Sequence, residues 1–235
     1  MSDFDLVRFI IAVSIGIIIF AVSYYQTNKK KREYSAKFIV RCGIFAAFSI
    51  ILYMIPIFNI SLPFFPFFLK IHFDEIPVFI AGFAYGPMSA VFILLVKTVV
   101  KLPLSFSGGT MGVGELADLI YSLAFILPAT IYYRKHRSLK GALISFAIGT
   151  VVQLFVSTFV TTFIMLKFYI FVMGWSEGAI LGICKAVNPS VTTLTWPFLF
   201  FISLPFNALK DVLVVILTMI LYKRLHGLID RIGKN

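Results

Sequence analysis

Apolar runs long enough to cross a bilayer recur along this chain, and no other feature limits its fold so sharply. The run Phe9 to Tyr24 has no charged residue, and comparable stretches follow at about 38–57, 113–133, 139–166 and 204–222. About 20 apolar residues in a helix span the ~30 Å of lipid hydrocarbon. Backbone polar groups in that layer must be satisfied within the chain, which leaves helices as the fold for runs of this kind. Composition agrees: 60% of the 235 residues are hydrophobic and 13% are charged, where soluble domains carry about 25% charged residues. The expected fold class is an all-α membrane protein with about seven spans and no sizeable soluble domain.

The spans are read as follows. The first, Phe9 to Tyr24, lies between the acidic flank Met1-Ser-Asp-Phe-Asp5 and the basic run Lys29-Lys-Lys-Arg32. A secretory signal would have the opposite charge order and a small-residue cleavage site, so this run reads as an uncleaved span. The second covers about 38–57. After a loop rich in Pro and Phe come two shorter helices, about 75–84 and 88–100, hinged at Tyr85-Gly-Pro87. Further spans cover about 113–133, 139–166 and 204–222, and the segment 167–197 receives no assignment.

The net charge of +11 would suggest a nucleic-acid partner on a soluble protein. Here the positions of the basic residues follow membrane topology instead. With the 27–41 loop inside, the inner segments hold Lys29, Lys30, Lys31, Arg32, Lys37, Arg41, Arg134, Lys135, Arg137, Lys140, Lys223, Arg224, Arg231 and Lys234, which is 14 of the 21 Lys and Arg. The positive-inside rule then places the N-terminus outside and the C-terminus in the cytoplasm. Cys42 and Cys184 are the only cysteines. They make neither a disulfide framework nor a metal cluster and read as small hydrophobes.

Ionisable and polar groups inside spans are costly and usually face a cavity or a partner. The set here is Asp74, Glu75, Lys97, Glu115, Asp118, Asn207, Lys210 and Asp211, and the topology puts nearly all of them at outer helix ends. Interfacial anchoring or interhelical ion pairs would account for any one of them. Their gathering at one membrane face points to a shared pocket open to the outside. Asn207 and Lys210 are three apart and share a helix face. An amide that donates and accepts beside an ammonium that donates suits the carbonyl and imide edge of a flat heterocycle. The loop 107–115 runs into a helix with glycines that permit close backbone approach. Its fragment Gly112-Val-Gly114-Glu-Leu-Ala117 has dinucleotide-fingerprint spacing but no βαβ setting, and no Walker motif is present. The aromatic loop 58–73 is either interfacial packing or a wall for an aromatic ligand. Gly43 and Ala47, with Ala46 beside them, are small residues four apart that let another helix approach, from within the chain or from a separate subunit.

Four fragments now occur in order: Phe68-Leu-Lys-Ile-His-Phe-Asp-Glu-Ile-Pro77, Gly82-Phe-Ala-Tyr-Gly-Pro87, Gly112-Val-Gly-Glu-Leu-Ala117 and Pro205-Phe-Asn-Ala-Leu-Lys210. Together they resemble the riboflavin-type substrate-binding (S) component of energy-coupling-factor (ECF) vitamin transporters, over about Lys37 to Leu225. The resemblance implies a six-helix membrane domain, residues 28–235, preceded here by an extra transmembrane helix within 1–27. It implies a pocket for riboflavin or a related flavin as the transported ligand, with no resident cofactor and no catalytic residues. Asn207 and Lys210 match the family's contacts to the isoalloxazine ring, and Gly114 and Glu115 match its Gly-Glu pair. Lys97, Asp74 and Asp118 join them as candidate substrate-binding residues. Gly43 and Ala47, with Ala46 beside them, match the small-residue motif that docks a transmembrane coupling subunit, which works with two cytosolic ABC-type ATPases. The chain departs from the pattern at Asp118, where Asn is expected, and near Thr161 and Thr162, where an Asn is missing. Ligands other than riboflavin therefore stay open, among them FMN, FAD or another flat vitamin. Two further classes are a membrane-embedded enzyme and a scaffold without a ligand. The first lacks support, since His72, His136 and His226 are scattered and form no metalloprotease or Ser–His pattern.

Overall fold

A computed structural model describes residues 36–105 and 112–234, with the side chains of 104, 105 and 228–234 left aside. The expected first span and most of the loop 107–112 lie outside the described residues. Within them the chain forms α1 (Ala36–Met54), a 3₁₀ turn (Pro56–Phe58), β1 (Asn59–Ser61), β2 (Lys70–His72), α2 (Glu75–Tyr85), α3 (Pro87–Ser105), α4 (Val113–Lys135), α5 (Leu139–Phe171), α6 (Glu177–Val187) and α7 (196–234). The two short strands pair antiparallel with Ile60 opposite Ile71. The helices α1, α4, α5 and α7 are long and apolar enough to cross a membrane.

Lipid exposure follows the sequence pattern. Ile39, Val40, Ile44, Phe48 and Ile51 on α1, Val151 and Phe155 on α5, and Val212, Ile216 and Ile220 on α7 all stand exposed. In water such faces would be unstable, whereas in a bilayer they need no cover.

The centre of the bundle is α2. Every residue from Glu75 to Ala84 is buried, and the helix packs against α1, α3, α4 and α7. At 1.5 Å per residue its 11 residues reach only about 16 Å, roughly half the hydrocarbon thickness. Its N-terminus, with Asp74 as N-cap, therefore lies inside the bundle. Gly86 ends it at φ 97, a conformation glycine adopts without strain, and Pro87 starts α3 at a position where no N–H is needed. Ser89 secures this hinge by donating to the carbonyls of Ala81 and Gly86 at 3.0 and 2.6 Å. The hinge expected at Tyr85-Gly-Pro87 is present.

Helices α4 and α5 approach closely at Gly149, where an added Cβ would lie 2.4 Å from the Phe125 carbonyl oxygen. The main apolar core includes Phe79, Phe83, Phe125, Phe146 and Tyr222. Near the C-terminal end of α4, Tyr133 and Tyr222 share a 2.6 Å hydrogen bond, tying α4 to α7.

Three helix boundaries differ from those read in the sequence, and the differences matter for the site. Helix α3 continues to Ser105 through Pro103. Lys97 is thus well inside α3 rather than at its outer end. Helix α5 passes 166 and ends at Phe171, with a π-helical turn at Thr161–Met165. Helix α7 begins at Trp196, with a second π-helical turn at Leu199–Ser203. Asn207, Lys210 and Asp211 consequently sit about three to four turns into the helix, not at its opening.

The unassigned segment 167–197 forms a cap. Ser176 starts α6 by accepting from the Ala179 N–H at 3.4 Å, as N-cap residues do. Ile180 and Cys184 turn inward to a second core with Leu166, Val191, Phe198 and Phe206. The aromatic loop closes on this cap: Phe65 meets Phe206 edge-on at 5.3 Å, and Phe68 meets Trp175 at 6.2 Å.

Candidate substrate-binding site

Five buried acids and three buried lysines gather where α2 begins. Asp74, Glu75, Glu115, Asp118 and Asp211 face Lys97, Lys101 and Lys210, and all eight are buried. Charges removed from water are tolerable only when paired and hydrogen-bonded, and most of these are. Lys97 Nζ donates to Asp74 Oδ2 at 2.8 Å and to Asp118 Oδ2 at 3.4 Å. Lys101 Nζ donates to Asp118 at 2.8 Å and lies 3.6 Å from Asp74. These four residues form a two-plus-two cluster tying α3 to the start of α2 and to α4. Ser49 on α1 donates to the Asp74 carbonyl, so α1 joins the same layer.

The second group runs from α2 to α7. Glu75 Oε1 accepts from Ser122 Oγ at 2.8 Å and from Lys210 Nζ at 3.4 Å. An ammonium has three donors, and Glu75 engages one of them. Asn207 donates through Nδ2 to the Ser203 carbonyl at 2.8 Å and lies 3.4 Å from Ser203 Oγ. A carbonyl oxygen only accepts, which fixes the amide orientation and leaves Oδ1 as the acceptor for a ligand. Among the described residues, one helix face therefore presents an acceptor at Asn207 and free donors at Lys210. That is the complement of an imide edge, in which an N–H is flanked by carbonyl groups.

Around this pair stand the other expected residues. Gly112 caps α4 at φ 77, again a position suited to glycine. The first-turn N–H groups of Val113, Gly114 and Glu115 lack intrahelical acceptors by geometry. Glu115 Oε1 accepts from Tyr53 on α1 at 3.3 Å, and the Lys101 ammonium sits 3.4 Å from the Tyr53 ring centre, within cation–π range. His72 on β2 meets Tyr53 edge-on at 5.4 Å. Desolvation pushes the His72 imidazole down to about 4, against the opposing pull of Asp118 and Asp74. It is therefore neutral at physiological pH, and its protonated form is disfavoured as pH falls from its usual value toward that point.

The structure thus brings together Asp74, Glu115, Asp118, Lys97, Asn207 and Lys210, with Gly114 in the adjoining first turn of α4. Sequence reading passed over Lys101, Tyr53, Ser49 and Ser122. For Lys101 a signal existed, because it follows Lys97 by four residues in an apolar span and so shares its face. The hydroxyl partners carry no comparable signal.

The small residues of α1 divide. Gly43 and Ala47 are exposed among the described residues, none of which lies within 4 Å of a Cβ added at Gly43. Ala46, grouped with them in the sequence, is 1% exposed and belongs to the core, because its position on the helix turns it inward. It is not part of the outward strip. Beside that strip, between α1 and α3, runs an apolar groove of about 310 Å³ lined by Phe38, Ile39, Met88, Val91, Phe92 and Leu95.

The family described as "ECF transporter, substrate-specific component" matches residues 37–222. The riboflavin transporter RibU of Staphylococcus aureus (strain TCH60) is 27% identical over 184 residues, spanning 78% of this chain and 89% of that protein. The riboflavin transporter FmnP of Bacillus subtilis (strain 168) is 24% identical over 183 residues, spanning 78% of this chain and 90% of that protein. A solved S component of a bacterial ECF transporter superposes with a TM-score of 0.61 at 24% identity, covering 82% of this chain and 96% of the other.

Proposed function

The chain belongs to the family of substrate-specific components of ECF transporters, and from that premise we propose that it captures riboflavin on the outer side of the membrane for ATP-driven uptake. It is a multi-pass membrane protein with the S-component fold, and its work is binding and delivery rather than catalysis. The observation that carries the ligand assignment is the α7 pair: an Asn207 acceptor and uncommitted Lys210 donors on one buried face. They match the uracil-like edge of an isoalloxazine ring. The riboflavin transporters among its relatives support the same ligand.

In this reading Asn207 Oδ1 accepts from the ring imide N–H while Lys210 donates to a neighbouring ring carbonyl. Glu115 and the N–H groups of the first turn of α4 bound the site at the mouth, and Gly114 allows close approach there. The Lys97–Asp74–Asp118 cluster holds α3 in register with the first turns of α2 and α4 beneath the ring. The aromatic loop and the α6 cap close over it, with Phe65, Phe68 and Trp175 providing apolar cover. The C-terminus lies in the cytoplasm and residues 1–27 form an additional span with the N-terminus outside. The distribution of Lys and Arg supports that orientation. Two cytosolic ATPases and a transmembrane coupling subunit complete the transporter, and the Gly43–Ala47 strip receives the coupling subunit.

One experiment separates binding from docking. A Gly43→Trp or Ala47→Trp substitution places bulk on an exposed face, and at Gly43 no described residue lies within 4 Å of an added Cβ. Purified variants are expected to bind riboflavin within about 3-fold of the parent, while cells carrying them with the coupling subunits lose at least about 10-fold in uptake. Uptake at the parental rate would remove the strip from the docking surface, and a parent chain that neither binds nor imports riboflavin would remove the function.

A further inference from the structure

Asp211 is the one acid of the buried layer for which neither carboxyl oxygen has a hydrogen-bond partner among the described residues. Asp74 and Asp118 have Lys97 and Lys101, Glu75 has Ser122 and Lys210, and Glu115 has Tyr53. Asp211 is 0% exposed, yet both its oxygens are buried without a partner. Leaving such a group unmatched is costly, and within α7 it stands where it serves the site. It follows Lys210 directly and lies one turn beyond Asn207, on the same buried face.

The elements packed on α7 at this level narrow what Asp211 meets. Helix α2 offers Glu75, a second acid, and its own helix offers Lys210, which is turned to Glu75. Helix α5 contributes no titratable group in its buried stretch. It does contribute Gln153, fully buried, whose Nε2 likewise lacks a partner. An unmatched buried carboxyl calls for a donor, and a hydroxyl supplies one without adding charge to the layer. A phosphate supplies acceptors and negative charge, and would meet two acids in a layer that already holds five acids against three lysines.

Resting on the flavin reading above, we propose that Asp211 contacts the ligand and selects a neutral, hydroxyl-bearing chain on the flavin over a phosphorylated one. Riboflavin carries such a chain, lumiflavin has the same ring without it, and FMN ends it in a phosphate. The parent chain and the variants Asp211→Ala and Asp211→Asn are titrated with all three.

The parent is expected to rank riboflavin first. Asp211→Ala should weaken riboflavin by about 10-fold or more while lumiflavin stays within about 3-fold, which also shows that the ring site remains folded. Asp211→Asn, which keeps the shape and removes the acid, should lower the riboflavin-to-FMN preference by about 10-fold. Affinities for the three ligands that fall in parallel, or that do not change in either variant, would overturn the role of Asp211. A parent chain that binds none of the three would overturn the flavin assignment and this proposal with it.

Discussion

Replacing Lys210 by Ala is expected to weaken riboflavin binding about 100-fold. A hydrogen bond from a charged donor contributes roughly 1.5–3 kcal/mol, and each 1.4 kcal/mol is a factor of ten in affinity. The ring carbonyl would lose that donor with no water able to replace it in a closed site. The substitution also leaves Glu75 with Ser122 alone, so part of any loss could arise from an unpaired buried acid. The double variant Lys210→Met with Glu75→Gln separates the two effects. It removes both charges together, so the apo protein should melt close to the parent temperature while riboflavin affinity stays about 100-fold down. A double variant that regains parental affinity would show that Lys210 acts on Glu75 and not on the ligand.

The second large effect is on the fold itself. Lys97 is fully buried between Asp74 and Asp118, at 2.8 and 3.4 Å. Without Lys97 the buried Asp74 and Asp118 share Lys101 alone, and an uncompensated buried charge costs about 3–5 kcal/mol. Lys97→Met should therefore lower the melting temperature of the detergent-solubilised protein sharply. Adding Asp74→Asn removes one stranded charge and should recover much of that loss. The ordering of the two melts is the decisive feature. Equal stability of parent and Lys97→Met would mean that the cluster does not hold α2, α3 and α4 together.

Much of this was legible in the sequence because bilayer physics leaves few options. The bounds of α1, α2 and α4 follow from apolar length, and the hinge between α2 and α3 from Gly86 and Pro87. The site residues were visible because Asp, Glu and Lys inside apolar spans are expensive and so conspicuous. Depth was harder to read. Pro103 reads as a stop, but α3 runs two residues past it, which moves Lys97 from a helix end to the interior. Helix α7 starts at Trp196, within a Thr- and Pro-containing stretch that masks its onset, so Asn207 and Asp211 lie deeper than a start near Leu204 would place them. Helix α6 was missed because Gly178 and Gly182 weaken its helical signal and only Ile180 and Cys184 are fully buried on it. Ser49, Tyr53 and Ser122 were invisible as site residues, since a hydroxyl in a span is common and only its partner reveals its use. Ala46 shows the same limit from another side: small-residue spacing identifies a strip but not which neighbour in it turns inward.

The most direct measurement is the identity of what the protein carries when it is purified from a host that makes flavins. A flavin site between α2, α4 and α7 predicts yellow protein that releases riboflavin on denaturation in roughly equal molar amount. Colourless protein that also leaves added riboflavin unbound at micromolar concentration would contradict it.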